Sequence, residues 1–253
     1  MSQPVEKKEK KIYLIGAGPG DPKLLTLKAI EAIQASQAIL YDQLVNPDVL
    51  QYAQPGANLV FVGKKKGKHI IPQDDINKLL VELAGTYDTV SRLKGGDPFI
   101  FGRGGEELEH LAIHGYSCEV IPGITSAAAA AAYIGLPLTH RNYSSQIIFI
   151  TGHKKEDGDY SEFTSLDLHD KTAVIYMGVT ALHEIVREMC RKEGNCELPI
   201  AIIENATLPS QRVIRGTLGN IVEIASHTQI TPPALIIIGN IIKFMDRIEE
   251  VMK

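Results

Sequence analysis

Acidic and basic side chains follow three short apolar segments in the first half of the chain, and these segments have the pattern of buried strands. The side chains are Asp42, Lys64 and Asp97. The carboxyl ends of parallel strands meet at one edge of a sheet, which is where α/β proteins bind ligands. We therefore expect two carboxylates and an amine to lie close together there. Such a set is suited to general acid and base catalysis.

The stretch from Arg92 to Glu107, RLKGGDPFIFGRGGEE, is unusually rich in glycine around Asp97 and Pro98. Glycine is used where the backbone takes unusual dihedral angles or comes close to another group, and it costs folding entropy. The stretch therefore predicts a small-molecule site whose floor is backbone and whose charge is Asp97. A glycine-rich turn, with Asp97 and Pro98 as ordinary turn formers, is the alternative.

Basic residues cluster near these positions although the chain carries a formal net charge of -4. They are Lys64, Lys65, Lys66, Lys68, His69, Arg103, His140 and Arg141. Local positive charge in an acidic protein indicates a polyanionic small molecule. The overall charge favours neither nucleic acid nor an anionic membrane as a partner. For Lys65 and Lys66, a solvated surface is an equally good interpretation.

The first glycine loop, GAGPGDP at 16–22, begins like a dinucleotide-binding fingerprint. The third glycine of that fingerprint would fall at position 21, which is Asp21. Pro19 and Pro22 also remove backbone donors that a pyrophosphate would use. These departures argue against a nicotinamide or flavin enzyme.

Short apolar segments alternate with helical patterns from Ile12 to Ile121, which predicts a parallel sheet covered on both faces. Asp21 as N-cap and Pro22 at the first helical position predict the start of the first helix. Consecutive alanines, Ala127 to Ala132, predict a later helix that packs very closely against another element. The N–H groups at its start, near Thr125 and Ser126, predict a site for an anion or polar group.

The segment at 135–143 interrupts this alternation and is the predicted linker between two domains. The second half has short strands and few helices, which indicates a mixed sheet. We predict a disordered tail at 1–11, an N-terminal α/β domain at 12–134 and a C-terminal α/β domain at 144–253.

The composition, 44% hydrophobic and 22% charged, is typical of a soluble globular protein. Cys118, Cys190 and Cys196 are odd in number and lack close metal-ligand spacing, which favours reduced, buried thiols in a cytosolic protein over a disulfide framework. His69 and His153 lack a cluster of partner ligands, so we expect no metal. The N-terminus lacks the apolar segment of a signal peptide, and no apolar run is long enough to span a bilayer. We therefore expect a cytoplasmic protein.

Several motifs together resemble those of the tetrapyrrole methylases. They are GAGPGDP at 16–22, LYD at 40–42, VGK at 62–64, RLKGGDPFIFGRGGEE at 92–107, PGITS at 122–126 and PLTHR at 137–141. The motif at 92–107 is the most selective, and the resemblance extends from Ile12 to about Gly239. Ser91, where valine is commoner, and Ala206, where relatives often have glycine, depart from the pattern.

The resemblance implies two α/β domains with a ligand cleft between them, the first sheet mainly parallel and the second mixed. It implies S-adenosyl-L-methionine as methyl donor, S-adenosyl-L-homocysteine as product, no metal and a homodimer. The implied cofactor contacts are Pro19, Gly95, Gly96, Asp97, Ile100, Thr125, Ser126, Met177, Ala206 and Ala234.

The activity that the resemblance implies is conversion of uroporphyrinogen III to precorrin-2 by two successive ring methylations, on the path to sirohaem, cobalamin or both. Asp42 would accept a proton and Lys64 would donate one. The carboxylates of such a substrate would account for basic residues at Lys68, Arg103 and Arg141. A later corrinoid methyltransferase and a non-catalytic protein that binds the methyl donor are the alternatives.

Overall fold

The structure is a computed structural model that describes residues 10–63, 71–154 and 159–252. Its internal contacts divide the chain into two units, Met1–Thr125 and Ser126–Lys253. The division falls before the predicted linker at 135–143, because the alanine-rich helix contacts a strand of the second unit. Of the predicted tail, residues 1–9 lie outside the described part of the chain, and Lys11 is the first residue of a strand.

The first unit is built on a five-stranded sheet in the order β3-β2-β4-β1-β5, with every pairing parallel. Its strands are β1 (Lys11–Gly16), β2 (Ala38–Tyr41), β3 (Asn58–Phe61), β4 (Thr89–Lys94) and β5 (Cys118–Ile121). Its α-helices are α1 (Leu27–Ala35), α2 (Gln73–Thr86) and α3 (Gly104–Ile113), with 3-10 turns at Pro22–Leu24 and Pro47–Tyr52. The predicted parallel sheet is confirmed.

Two separate apolar clusters of the first unit are built on alternate residues of the same strands. Leu14 and Leu40 belong to one cluster, whereas Ile15 and Ile39 belong to the other. Because neighbouring residues of a strand point to opposite faces, this alternation shows that both faces of the sheet are covered. All four side chains are fully buried.

The predicted helix start at Asp21 is correct only for a short turn. Asp21 accepts a hydrogen bond from the Lys23 N–H over 2.9 Å, but the turn that it caps ends at Leu24. A second cap, Thr26, accepts from the Ala29 N–H over 3.1 Å and begins α1. Leu25 between them has an extended backbone, so the chain contains a turn and a helix where one helix was expected.

The second unit contains a five-stranded mixed sheet in the order β6-β7-β10-β8-β9. Its strands are β6 (Gln146–Thr151), β7 (Lys171–Tyr176), β8 (Pro199–Glu204), β9 (Arg212–Thr217) and β10 (Ala234–Ile238). Only β6 and β7 pair in parallel; the other three pairings are antiparallel. The predicted mixed sheet is therefore confirmed.

The helices of the second unit are α4 (Ser126–Tyr133), α5 (Leu182–Met189), α6 (Ile221–Thr228) and α7 (Lys243–Val251). Its 3-10 turns are Ser161–Phe163, Val179–Ala181, Asn195–Glu197 and Asn240–Ile242. A single cluster of buried side chains unites Ile175, Ile202 and Ile236 of the sheet with Ile185 and Met189 of α5. The second unit thus has a core of its own.

The cysteines of the second unit differ from expectation. Cys190 at the end of α5 and Cys196 in the following turn form a disulfide, and their Cα atoms are 5.0 Å apart. Gly194, with a φ of 80°, turns the intervening chain back on itself. The expectation of reduced thiols is wrong for this pair. Cys118 is a free thiol, and burial raises its pKa to about 12.

Within the described ranges, no helix is both long enough and apolar enough to cross a membrane.

Candidate functional site

The loops that follow β1, β4 and β5 come into backbone contact at the carboxyl edge of the first sheet. The Gly18 N–H donates to the Gly96 carbonyl over 3.2 Å, and the Gly96 N–H donates to the Gly18 carbonyl over 2.7 Å. These two bonds join the loop after β1 to the loop after β4. The loop that contains Pro19 is therefore held against the loop that contains Gly95 to Asp97.

Glycine is required where these loops meet. A Cβ on Gly16 would lie 2.4 Å from the Gly123 nitrogen, and one on Gly123 would lie 2.2 Å from the Gly96 carbonyl oxygen. Gly96 also has a φ of 69°, in the left-handed region that side chains rarely adopt. No side chain larger than hydrogen fits at Gly16 or Gly123 without movement of the backbone, so the three loops meet through backbone atoms.

Asp97 links two of these loops through its carboxylate. Its Oδ1 accepts from the Phe99 N–H over 2.9 Å, and its Oδ2 accepts from the Gly123 N–H over 3.1 Å. The side chain thus stabilises its own turn and attaches the loop after β5 to it. Each carboxylate oxygen has a second lone pair, so Asp97 retains the capacity to accept further hydrogen bonds from a ligand.

Apolar side chains lie around the glycine loops with much of their surface exposed. Leu44 after β2 is 60% exposed, and Phe99 and Phe101 after β4 are 53% and 40% exposed. The Leu44 Cβ is 2.7 Å from the position that a Cβ on Gly95 would occupy, so the two loops are in close contact. Phe101 has a φ of 51°, which is uncommon for a bulky residue. Ile100 between the two phenylalanines is half-buried.

Asp42 lies at the end of β2, as predicted, and its carboxylate is held by two donors. Its Oδ1 accepts from the Leu44 N–H over 3.0 Å, and its Oδ2 accepts from Arg92 Nη2 over 2.9 Å. The Asp42 side chain is 26% exposed. Lys64, the amine of the predicted set, and Lys68 lie outside the described residues.

A buried network of charged side chains that is hydrogen-bonded to Asp42 was not predicted from the sequence. Arg92 and Lys94 are on the same side of β4 and both donate to Oε1 of Glu107 on α3, over 3.1 and 3.0 Å. Glu107 is completely buried and Arg92 is 3% exposed. Burial lowers the pKa of Lys94 below the ordinary lysine value, and the neighbouring Arg92 charge lowers it further, whereas Glu107 opposes both.

The spacing of these charges is the signal that could have revealed the network. Arg92 and Lys94 are two residues apart, so a strand places both on one face. Two cations on a buried strand need a buried carboxylate, because an unpaired buried charge is very costly. A carboxylate within the following helix, such as Glu107, was the available partner.

The two arginines expected to bind substrate lie in different units. Arg103, with a φ of 58°, precedes α3 and donates to both carboxylate oxygens of Glu106, over 2.9 and 2.6 Å. This hydrogen bonding raises the pKa of Arg103 and lowers that of Glu106. Arg141 is exposed in a turn of the second unit that the His140 N–H closes on the Ser144 carbonyl.

The second unit brings its predicted contact residues to one edge of its sheet. Met177 directly follows β7, Ala206 follows β8, and Ala234 begins β10, which is antiparallel to both strands. Met177 has a φ of 55° and is 51% exposed. Ser126 begins α4, whose Ala127 N–H donates to the Tyr176 hydroxyl at the end of β7 over 3.3 Å. Thr125, half-buried, immediately precedes that helix.

Among the described residues, no group of three or more His, Cys, Asp or Glu side chains is arranged to hold a metal ion. At the first sheet, the described residues bring together carboxylates, buried cations and closely approaching backbone.

Comparison with known proteins gives several close matches. A uroporphyrinogen-III C-methyltransferase from Priestia megaterium is 48% identical over 235 residues, which are 92% of this chain and 99% of that protein. A protein named siroheme synthase 2 from Aeromonas hydrophila is 48% identical over 237 residues, 94% of this chain. The chain spans only about half the length of that second relative, 50%.

A solved structure has the same fold over nearly all of the chain. It is the uroporphyrin-III C-methyl transferase of Thermus thermophilus in complex with S-adenyl homocysteine, with 38% identity and a TM-score of 0.78. The match covers 92% of this chain and 94% of that one. The family model for tetrapyrrole (corrin/porphyrin) methylases matches residues 11–222, which include the glycine loops and most of both sheets. This chain is therefore a member of the tetrapyrrole methylase family.

Proposed function

We propose that this chain is an S-adenosyl-L-methionine-dependent methyltransferase that converts uroporphyrinogen III to precorrin-2 by two successive ring methylations. The product would lie on the path to sirohaem, cobalamin or both. The observation that carries the proposal is the 48% identity to the Priestia megaterium uroporphyrinogen-III C-methyltransferase over almost the full length of both proteins.

The glycine loops of the first unit fit the methyl donor. The close approach of Gly16, Gly96 and Gly123 holds the loops after β1, β4 and β5 together beside Asp97. Backbone groups at Gly95 and Gly96 would bind polar atoms of the donor, Asp97 would accept from its amino group, and Pro19 and Ile100 would provide apolar contact. When bound, S-adenosyl-L-methionine supplies an electrophilic methyl group. The chain orients the two reactants, which contributes several kcal/mol in well-aligned reactions.

We assign the remaining donor contacts to the second unit and its first helix. Thr125 and Ser126 would contribute the polar groups at the start of α4. Met177 is exposed and polarisable, and it would pack on the adenine. Ala206 and Ala234 are small residues at the same sheet edge as Met177, and they would allow the ligand to approach the backbone.

Proton transfer is assigned to Asp42 and Lys64. Methylation of a ring carbon requires the macrocycle to lose a proton elsewhere, and the Asp42 carboxylate at the end of β2 would accept it directly or through water. Lys64 would donate or reposition a proton.

The basic residues Lys68, Arg103 and Arg141 would bind substrate carboxylates. The Arg103–Glu106 ion pair is exposed and contributes little stability. Arg103 would then release the Glu106 carboxylate and bind a carboxylate of the substrate. A homodimer in the cytoplasm is part of the same proposal. The name of the Priestia megaterium relative supports the tetrapyrrole substrate, as does the local positive charge in a chain of net charge -4. The homodimer follows from the family resemblance alone, and the cytoplasmic location stays a prediction from the sequence.

Anaerobic incubation of the protein with uroporphyrinogen III and S-adenosyl-L-methionine, followed by mass analysis of the oxidised product, tests the function. We expect a gain of two methyl groups. Donor binding without any methylation of this substrate would contradict the proposal and move the acceptor to a later corrinoid intermediate.

Substitution of the two aspartates should separate binding from turnover. Asp97→Ala should weaken donor binding by about tenfold or more, since it removes an acceptor and the link to the Gly123 N–H. Asp42→Asn should bind the donor as the wild type does but lose about 100-fold in kcat. Calorimetric titration of the donor and steady-state kinetics provide the two measurements. Asp88→Ala, at an exposed aspartate of the same unit, is the control. Equal donor affinity in the wild type and Asp97→Ala would exclude the assignment of Asp97.

A further inference from the structure

Four charged side chains form one continuous hydrogen-bonded chain in the first unit. Lys94 Nζ donates to Glu107 Oε1 over 3.0 Å, Arg92 Nε donates to the same oxygen over 3.1 Å, and Arg92 Nη2 donates to Asp42 Oδ2 over 2.9 Å. The Lys94, Glu107 and Arg92 side chains are each at most 5% exposed, whereas the Asp42 side chain is 26% exposed. This series of hydrogen bonds therefore ends at the Asp42 carboxylate, to which we assign proton transfer.

The Arg92 guanidinium is held on three sides. Its Nε donates to Glu107, its Nη1 donates to the Leu93 carbonyl over 2.7 Å, and its Nη2 donates to Asp42. A planar guanidinium with three fixed partners cannot rotate without breaking at least one of these bonds. Glu107 and the backbone of β4 consequently set the direction of the Arg92 Nη2–H group that faces Asp42.

The charges of the network balance. Arg92 and Lys94 carry two positive charges, and Asp42 and Glu107 carry two negative ones, so little net charge is buried. Glu107 accepts through Oε1 only: Gln73 Nε2 also donates to that atom, over 3.2 Å, and Oε2 is buried without a partner among the described residues. A glutamine at 107 would keep the accepting oxygen and remove the charge, which makes Glu107→Gln a closely matched change.

We propose that Arg92 is a positioning residue for the Asp42 carboxylate, and that Glu107 acts through Arg92 by fixing its guanidinium. The proposal rests on the proposed function for the role of Asp42. The positioned carboxylate has two bound oxygens, one on Arg92 and one on the Leu44 N–H, and its remaining lone pairs are directed by those two bonds. A base held in this way needs no reorganisation before it accepts a proton.

The Leu44 amide provides a test that does not depend on activity. Its N–H donates to the Asp42 side chain, whereas the neighbouring Val45 N–H donates to the Asp42 backbone carbonyl over 3.3 Å. In Arg92→Gln, the freed carboxylate should leave Leu44, and hydrogen exchange of the Leu44 amide should accelerate by about tenfold. Exchange at Val45 should change by less than about twofold if the turn remains folded. Exchange is followed for both amides by NMR.

Matched variants distinguish a loss of positioning from a general folding defect. Arg92→Lys keeps the charge but cannot donate to both Glu107 and Asp42 in the same geometry, so it should accelerate Leu44 exchange to an intermediate extent. Arg92→Gln with Glu107→Gln removes one charge of each sign and preserves the buried balance. Arg215→Gln removes an arginine that pairs with Asp246 and Glu249 in the second unit, and it should leave Leu44 unchanged.

Kinetics provide the second measurement. Arg92→Gln should lower kcat for tetrapyrrole methylation by about tenfold or more while both KM values change by less than about threefold. In an Asp42→Asn background, the same substitution should lower kcat by less than about twofold, because the carboxylate that it positions is absent. A merely structural arginine would lower kcat equally in both backgrounds.

Each outcome bears on the proposal. Unchanged Leu44 exchange in Arg92→Gln would overturn it, and so would equal losses of kcat in the wild-type and Asp42→Asn backgrounds. Accelerated Leu44 exchange with steady Val45 exchange, together with the coupled loss of kcat, would support it. If the wild type methylates no tetrapyrrole while Leu44 still responds to Arg92→Gln, the positioning is supported and the proposed function fails.

Discussion

Ser91 precedes Arg92 on β4, and its hydroxyl is as completely buried as the charges on the opposite face. Its Oγ lies 2.6 Å from Ser36 Oγ, and the Ser36 hydroxyl donates to the Ala32 carbonyl over 2.7 Å. The Ser36 hydroxyl hydrogen is thus bonded to the Ala32 carbonyl, so the Ser91 hydroxyl donates to Ser36 Oγ. A serine is accommodated at this buried position because a second hydroxyl lies opposite it.

The two serines should therefore differ in their contributions to stability. Ser36→Ala leaves the buried Ser91 hydroxyl without its acceptor and should cost about 1–3 kcal/mol in the free energy of unfolding. Ser91→Ala leaves Ser36 bonded to Ala32 and should cost about 1 kcal/mol. The double variant should cost less than the sum of the two, which urea denaturation can measure. Ser226→Ala, at an exposed serine, is the control. A larger cost for Ser91→Ala than for Ser36→Ala would reverse the inferred direction of donation.

Single residues of the site were predictable from the sequence to different degrees. Asp42 and Asp97 could be placed because a polar residue after an apolar strand lies at the ligand edge of a parallel sheet. The partners of Asp42 could not be predicted, because charged residues are rarely buried. A sequence motif also does not show which residue of the following helix packs against the strand. Only the packing of α3 against the sheet brings Glu107 to Arg92.

At the scale of elements, strands were better predicted than helix starts. The strand before Asp42 was predicted correctly because a fully buried strand has a continuous apolar pattern. The strand before Gly95 was also predicted, although Ser91, Arg92 and Lys94 interrupt its apolar pattern. The start of α1 was not, because both Asp21 and Thr26 have the chemistry of an N-cap and local sequence does not decide which one begins the longer helix. The alanine-rich helix α4 was predicted, but the unit to which it belongs depends on its contact with β10.

The adjacent glycines at the start of α3 should respond in opposite ways to alanine. A Cβ on Gly104 would lie 2.5 Å from the Pro98 carbonyl oxygen, to which the Gly104 N–H also donates over 3.0 Å. A Cβ on Gly105 would meet nothing within 4 Å. Gly104→Ala should thus destabilise the protein by about 1–3 kcal/mol through backbone displacement. Gly105→Ala should stabilise it by up to about 1 kcal/mol. Denaturant unfolding of the two variants gives the comparison, and a stabilised Gly104→Ala would show that the loop after β4 tolerates movement.

At the scale of the whole molecule, two units with separate cores follow one another in the chain. The order of strands and helices predicted two sheets of different kinds, because a parallel sheet needs a crossover between successive strands and an antiparallel one does not. The disulfide between Cys190 and Cys196 was missed, because the number and spacing of cysteines do not report the turn that brings two of them together.

A large-to-small substitution in one core should therefore reduce hydrogen-exchange protection first in the unit that contains that core. Ile236 is fully buried on β10, between β7 and β8, and Ile236→Ala should cost about 2–5 kcal/mol. Native-state hydrogen exchange should show reduced protection at Lys171–Tyr176 and Pro199–Glu204, with little change at Lys11–Gly16 and Thr89–Lys94. Val213→Ala, where the side chain is 39% exposed on β9, should have a small effect throughout. An equal loss of protection in both sheets would mean that the two cores unfold as one cooperative unit, in which case stability measured anywhere in the chain would report on both.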